Sequence, residues 1–463
     1  MPSQDPRGRR GWAIATVAVV AFLTTADGTI VNVALPSIQR TLGMSLPSAQ
    51  WIVTAYLITF SAFMLAGGRV TDRYGARVVL RVGLGIFTAA SVAAGTAHTA
   101  AVLLLSRAAQ GTGAAFALPA GLAVAASGPT ARDRDGLAAV WMASLASALA
   151  AGPVLGGWIT QHLGWNWIFL INLPAGVAGM VIAGFVSGQR LGGREPAGWA
   201  GMARSVVALA AATFVLTNAP ADGWASPRIL LAAAVGVGGL AFTRRRSSAL
   251  GGSSLLGGIA VSVLWGAGVN GVFFCTSIFL QRYAGYSATR AGLVFLPAAV
   301  LVVLMTPLTP AVAARLGPGR TVASGLLGVA AGLALLATVA SGPHVAIAAL
   351  LAPSAVIGAG SALTVPLTTS VLASVPPDRT GIASGVLSLA REASGLAGIC
   401  VITLIVTEAG ADRGFTAGYS WGVLAATGIT LTGALVAWLT LPGVPVGVMA
   451  GKTPRADSSI GQD

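Results

Sequence analysis

Apolar residues in this chain neither alternate nor form stripes. They come in runs of about twenty, separated by short segments that hold most of the charge. Such a run matches the roughly 20 residues an α-helix needs to cross a bilayer. Fourteen runs are read, at about 12–34, 48–67, 78–97, 101–126, 137–160, 166–187, 203–220, 228–243, 257–281, 291–313, 320–341, 345–373, 381–406 and 418–440. Most connections are short, so consecutive helices are expected to be antiparallel. Gly and Pro recur inside the runs, which membrane helices tolerate and which lets them pack closely. The predicted fold class is an all-α polytopic membrane protein with fourteen transmembrane helices, grouped six, two and six.

Composition sharpens this reading. Hydrophobic residues make up 55% of the chain and charged residues only 9%, against about 25% charged in a soluble domain. Disordered chains, soluble enzymes and nucleic-acid binders are excluded. The net charge of +14 would by itself point to a polyanion, but topology absorbs it. With the N-terminus inside, twenty basic residues fall in cytoplasmic segments, five lie outside and two remain within runs. That imbalance obeys the positive-inside rule and places both termini in the cytoplasm. The bilayer of a cell membrane is the expected partner, with no nucleic acid, no metal, no cofactor and a monomeric chain.

Three smaller features fit the same picture. The first run follows Arg7, Arg9 and Arg10 like a signal peptide, but it is too long and lacks a small-residue cleavage site, so it is read as a true span. Cys275 and Cys400 lie inside runs and are read as buried hydrophobes. Among the 27 basic residues Lys452 is the lone lysine, and with so much Ala and Gly this points to a GC-rich bacterial genome.

The chain repeats itself weakly. Arg73-Tyr74-Gly75-Ala76-Arg77 is echoed by Arg315-Leu316-Gly317-Pro318-Gly319-Arg320, and Asp133-Arg134-Asp135-Gly136 by Asp378-Arg379-Thr380-Gly381. The two offsets nearly agree, and each pair occupies the same rank in its six-helix set. The expected organisation is an N-terminal six-helix bundle at 1–187, a two-helix insert with cytoplasmic linkers at 188–250, and a C-terminal six-helix bundle with a tail at 251–463. Transporters are commonly built from such repeats, with a substrate site between them near the midplane.

Four charged residues fall deep within the runs, away from their ends: Asp27, Arg107, Arg391 and Glu392. Each costs at least ~2.5 kcal/mol to insert, so each requires a partner or a function. Asp27 and Arg107 lie at similar depth in the outer half of the bilayer, counted at about 1.5 Å per residue. Arg391 and Glu392 lie near the midplane and, as helix neighbours about 100° apart, face different directions. Two readings fit the first pair. One is a proton carrier, because a nearby arginine favours the carboxylate, burial favours the acid, and a helix shift that alters the balance moves a proton. The other is a static ion pair that pins helix packing. For Arg391 and Glu392 the same alternatives stand.

Several segments in order resemble one known group, the major facilitator superfamily, and within it the fourteen-span drug:proton antiporters. Asp27-Gly28-Thr29-Ile30-Val31-Asn32-Val33-Ala34-Leu35-Pro36 resembles the first-helix signature of that branch. Gly68-Arg69-Val70-Thr71-Asp72-Arg73-Tyr74-Gly75-Ala76-Arg77 is similar to the motif between the second and third helices. The resemblance makes Gly68, Asp72, Arg73, Gly75 and Arg77 a cytoplasmic latch. Arg107-Ala108-Ala109-Gln110-Gly111 resembles the fourth-helix motif whose arginine is tied to proton coupling, and Gly152-Pro153-Val154-Leu155-Gly156-Gly157 resembles the fifth-helix antiporter motif. In the latter, Gly152, Pro153, Gly156 and Gly157 carry the match, while Ala148 stands where the family usually has Gly. Trp165-Asn166-Trp167 through Pro174 is similar to the start of the sixth span, with Asn166 in place of the more usual Arg. Gly285-Tyr286-Ser287 and Arg391-Glu392-Ala393-Ser394-Gly395 also resemble this branch.

The resemblance implies a non-enzymatic, proton-driven antiporter with a major facilitator fold. Its substrates would be hydrophobic or amphipathic drug-like molecules, exported by alternating access. Proton coupling would rest on Asp27, Arg107, Glu392 and Arg391. Asn32, Trp51, Tyr56, Gln110, Trp141 and Trp265 are candidates to line the substrate cavity. No Walker-type phosphate loop is present in the sequence, so the energy source would be the proton gradient. Two alternatives stay open: a dedicated exporter of one endogenous metabolite or amino acid, and a non-transporting membrane sensor.

Overall fold

A computed structural model describes residues 6–127, 130–186, 199–247, 253–340, 346–373, 380–411 and 414–441. Seven helices come first: α1 (Pro6–Thr41), α2 (Leu46–Tyr74), α3 (Ala76–Gly95), α4 (Ala100–Ala126), α5 (Ala131–His162), α6 (Trp167–Leu170) and α7 (Asn172–Ala183). A pair follows, α8 (Trp199–Asp222) and α9 (Pro227–Ser247). The remainder is α10 (Ser253–Ile278) with a π-helical turn at Phe279–Tyr283, α11 (Ala288–Leu293), α12 (Leu296–Met305), α13 (Thr309–Leu316), α14 (Pro318–Ala340), α15 (Ile347–Ala362), α16 (Pro366–Ala373), α17 (Thr380–Gly410) and α18 (Phe415–Thr440). Among the described residues eight helices are long and apolar enough to cross a membrane, or ten when two bent pairs each count as one span. Each of the fourteen predicted runs is helical over most of its described part. The linker at 187–198, the tail after 441 and the echo at Asp378-Arg379 lie outside the described residues.

Local sequence explains the helix ends. Ser45, Thr99, Thr130 and Ser287 each accept a backbone N–H three residues on, capping α2, α4, α5 and α11. Gly75 and Gly317, one in each half of the first sequence echo, adopt φ of 88° and 84°. That conformation suits glycine and lets one helix stop and the next begin at once. Both donate their N–H back into the helix they end, to Thr71 and Ala313. The turn geometry therefore recurs with the sequence.

Prolines account for the departures from simple rods. α5 bends by 41° between Leu149 and Ala151, where Pro153 lacks the N–H that the Leu149 carbonyl would otherwise receive. The predicted run 291–313 is divided among α11, α12, a 3₁₀ turn and α13, with Pro297, Pro307 and Pro310 at the divisions. α1 does the reverse. It passes straight through Pro36 and beyond the expected end at residue 34, so Arg40, expected in a loop, sits in its last turn.

The helices fall into two sets by their packing. α1–α7 form one set, with α4 between α2 and α3 and with α5 along α1. α10–α18 form the other, in which α10 lies against α17 and α18 and α14 lies between α15 and α18. α8 and α9 pair with each other, and α8 also touches α2 and α17, one helix from each set. Lipid tails are as apolar as these side chains, so association rests on close approach and interhelical hydrogen bonds rather than on exclusion of water.

The two ends of the molecule differ. At the end where α1 finishes, one apolar core runs through both sets, joining Ile30, Ala34 and Ile52 to Val272, Phe279 and Val294. At the Gly75 end each set has its own core, around Leu80 and Ala117 in one and Val322 and Val371 in the other. Four hydrogen bonds that join the sets lie at the shared-core end: Gln50 to the Ile399 carbonyl, Ser277 to Asn32, Gln281 to Val33, and Thr289 to Gln161.

Candidate functional site

Two glycines on α4 set the geometry of the site. Gly111 lies against the Tyr56 carbonyl on α2, and Gly113 against the Phe87 and Gly83 backbones on α3, so a Cβ at either would collide. Thr59 on α2 adds a hydroxyl donor to the Ala108 carbonyl at 2.8 Å. With α4 held this close, the side chain of Arg107 turns inward and is 0% exposed.

Arg107 Nη1 donates to Asp27 Oδ2 at 2.6 Å and to Gln110 Oε1 at 2.9 Å, while its Nε donates to the Ile52 carbonyl at 2.9 Å. The rings of Tyr56 and Phe169 lie 4.5 Å and 5.7 Å from the guanidinium carbon. Its Nη2 has no hydrogen-bond partner among the described residues. The Asp27 side chain is 1% exposed. Its Oδ1 accepts from Gln110 Nε2 at 3.3 Å and from Asn172 Nδ2 at 3.0 Å. Both amides also reach Ser91 Oγ, at 2.7 Å and 3.3 Å, and that hydroxyl donates to the Phe87 carbonyl.

α1, α3, α4 and α7 therefore converge on one carboxylate, which accepts three donors, one of them cationic. Charge-assisted bonds of this kind are roughly twice as strong as neutral ones. A proton arriving at Asp27 would cancel its attraction for Arg107 and turn one acceptor into a donor. The hydrogen bonds of this one carboxylate thus join the packing of four helices.

The structure brings Asp27, Arg107, Gln110 and Tyr56 together. It adds Asn172 and Ser91, which the sequence reading did not single out as site residues. Asn172 had a signal, as a polar residue within the apolar segment Phe169–Leu173. Ser91 had none, because serine is common in membrane helices.

The other residues lie elsewhere. Arg391, on α17, is exposed, with its guanidinium carbon 5.4 Å from the Trp265 ring centre. Glu392 is on the same helix, but its side chain lies outside the described residues. Trp265 is half-buried and its Nε1 finds no partner among the described residues. Trp141 is buried in the first set's own core, while Trp51 and Asn32 are half-buried.

Gly68 is half-buried, and Asp72 and Arg73 are exposed at the end of α2. Arg77 donates to the Val186 carbonyl at 2.6 Å, tying the start of α3 to the segment after α7. The fifth-helix motif faces two ways. Gly152 and Gly156 lie against Thr29 and Ile30 on α1, whereas Gly157 lies against Ala288 and Thr289 of the other set. Gly292 on α11 in turn lies against the Pro153 carbonyl.

Comparison with known proteins agrees with this architecture. Residues 17–399 match the family described as the Major Facilitator Superfamily. The puromycin resistance protein pur8 of Streptomyces alboniger is 30% identical, over 95% of this chain and 92% of its own. The tetracenomycin C resistance and export protein of Streptomyces glaucescens is 30% identical over 88% and 78%. The multidrug resistance protein Stp of Mycobacterium tuberculosis (strain CDC 1551 / Oshkosh) is 31% identical over 82% and 73%. Among solved structures, a peptide transporter POT in complex with sulfate superposes with a TM-score of 0.71 at 15% identity, covering 94% of this chain and 98% of that one. That likeness concerns the fold.

Proposed function

The chain belongs to the Major Facilitator Superfamily, a family of transporters rather than enzymes, and on that premise we propose that it is a proton-driven exporter of hydrophobic or amphipathic small molecules. The observation that carries the reading is the Asp27–Arg107 pair, a fully buried carboxylate whose ionised form is held by three side-chain donors. Removing its charge loosens α1 from α4, and restoring the charge draws them together. A helix that moves with a proton is what an antiporter requires. The resistance and export proteins among its relatives support a drug-like cargo.

In this reading fourteen spans form two six-helix bundles, 1–187 and 251–463, around the inserted pair, with both termini and the Gly75 end in the cytoplasm. Asp72, Arg73 and Arg77 serve as the latch on that face. Substrate enters between the bundles from the cytoplasm or inner leaflet. It meets Asn32, Trp51 and Trp265, which unlike Trp141 are not enclosed in one bundle's core. It leaves on the far side after the bundles rock, and a proton taken up and released at Asp27 resets the cycle. Glu392 and Arg391 form a second charged position on α17, where they select among charged substrates.

Some relatives are named for resistance to a single antibiotic, which favours a second reading, a dedicated exporter of one compound. A susceptibility panel in an efflux-deficient host, run with and without a protonophore, tests both. The proposal expects resistance to several hydrophobic drugs that disappears with the protonophore. Resistance confined to one compound selects the second reading, and efflux that survives collapse of the gradient removes proton coupling.

A further inference from the structure

Where α1 passes through Pro36, one backbone acceptor should be orphaned. Proline has no N–H, so the Asn32 carbonyl, four residues earlier, loses its intrahelical donor. In a bilayer such a group requires another partner. Ser277 Oγ on α10 supplies it, donating to Asn32 O at 2.7 Å. Four residues on, Gln281 Nε2 donates to the next carbonyl of α1, Val33 O, at 2.7 Å, and also to Ser277 Oγ at 3.1 Å. Gln281 lies in the π-helical turn that ends α10, a local widening that redirects a side chain. Both donors belong to the second helix set and both acceptors to the first.

We propose that Ser277 and Gln281 are the outer gate clamp of the transport path: they hold α1 shut against α10 through the carbonyl that Pro36 frees, and outward opening must break their bonds. Two further observations point the same way. Asn32 Oδ1 and Thr289 Oγ1, both at the seam between the sets, are buried without a partner among the described residues. Buried polar groups are rarely left unpaired, and a seam that opens to water satisfies both. Asp27 lies five residues before Asn32 on α1, about 7–8 Å along the axis. One rigid stretch of helix thus carries the proton site at one end and the clamp at the other, so a movement of α1 is transmitted between them.

The inference rests on the alternating-access reading and is tested so that the two can fail separately. Spin labels at Thr41 on α1 and Thr416 on α18, both exposed at this end, report the separation of the sets in a Cys275→Ser, Cys400→Ser background reconstituted in nanodiscs. An interhelical hydrogen bond in a membrane shifts an equilibrium about threefold on average. Ser277→Ala should therefore raise the long-separation population roughly threefold, and Ser277→Ala with Gln281→Leu roughly five- to tenfold. Pro36→Ala returns an intrahelical donor to Asn32, so it should act like Ser277→Ala and add little when combined with it. Thr427→Val, which removes a hydroxyl bonded only within its own helix in the described structure, should change nothing.

Should the double variant not fold, Ser277→Ala removes a single oxygen and carries the test with Pro36→Ala. A wild-type chain that moves with pH while its distribution ignores Ser277→Ala and Pro36→Ala overturns the clamp and leaves alternating access standing. Full additivity of those two variants also overturns it. A single separation in every variant at both acidic and alkaline pH removes alternating access and the clamp together.

Discussion

Arg107 meets Asp27 at 2.6 Å across 80 residues of sequence, with neither side chain accessible to solvent. Each is the other's counter-ion, so deleting one strands the other in a low-dielectric interior. Breaking a buried pair from one side costs about 3–5 kcal/mol, whereas removing both partners is far milder.

Asp27→Asn and Arg107→Gln should each lower thermal stability in detergent by that order, and the double variant should be more stable than either alone. Additive losses would show that the two charges do not act as a pair. In everted vesicles the double variant should remain folded yet lack efflux driven by a pH gradient, as should Asp27→Asn. Gradient-driven transport that persists in Asp27→Asn would take this carboxylate out of the mechanism.

Arg107 holds three acceptors in a planar fork: Asp27, Gln110 and the Ile52 carbonyl. A lysine keeps the charge but not the fork. Arg107→Lys is therefore expected to retain part of the efflux and Arg107→Ala almost none, with transport rates ranked wild type, lysine, alanine. Equal rates for the two substitutions would mean that geometry at this position is irrelevant.

Two asparagines close together in sequence separate function from packing. Asn172 donates to the Asp27 carboxylate, while Asn166 donates only to a backbone carbonyl, Gly95 O, in the described structure. Bonds to charged groups contribute about 1.5–3 kcal/mol and neutral ones about 0.5–1.5 kcal/mol. Asn172→Ala should lose both stability and gradient-driven efflux, and Asn166→Ala should lose a little stability and keep transport. The comparison fails if both variants transport like wild type after correction for the amount in the membrane.

Much of the site was legible in one dimension. A charge inside an apolar run is conspicuous, and a uniform rise per residue puts Asp27 and Arg107 at similar depth. Asn172 and Ser91 were less visible because a neutral polar residue in a membrane helix is unremarkable until something charged is beside it. The role of Pro36 was hidden for a related reason. The sequence predicts a helix ending near residue 34, yet α1 continues to Thr41, and the Asn32 carbonyl that Pro36 leaves without a helical donor accepts from Ser277, more than two hundred residues away. The bend at Pro153 needed no distant partner and follows from the missing N–H alone.

By itself the sequence determined the membrane class, the approximate position of most helices and the buried pair Asp27 and Arg107, whereas Arg391, read with them, is exposed. Crossing a bilayer constrains every segment separately, so length and polarity are sufficient. Only the tertiary structure decided which helices meet. It placed α7 over Asp27, set Gly157 against the other helix set, and gave the Asn32 carbonyl its donor. Lipid and protein interior are equally apolar, so hydropathy cannot say which face of a helix turns inward. Close-packed glycines and hydrogen bonds make that choice, and both depend on neighbours remote in sequence.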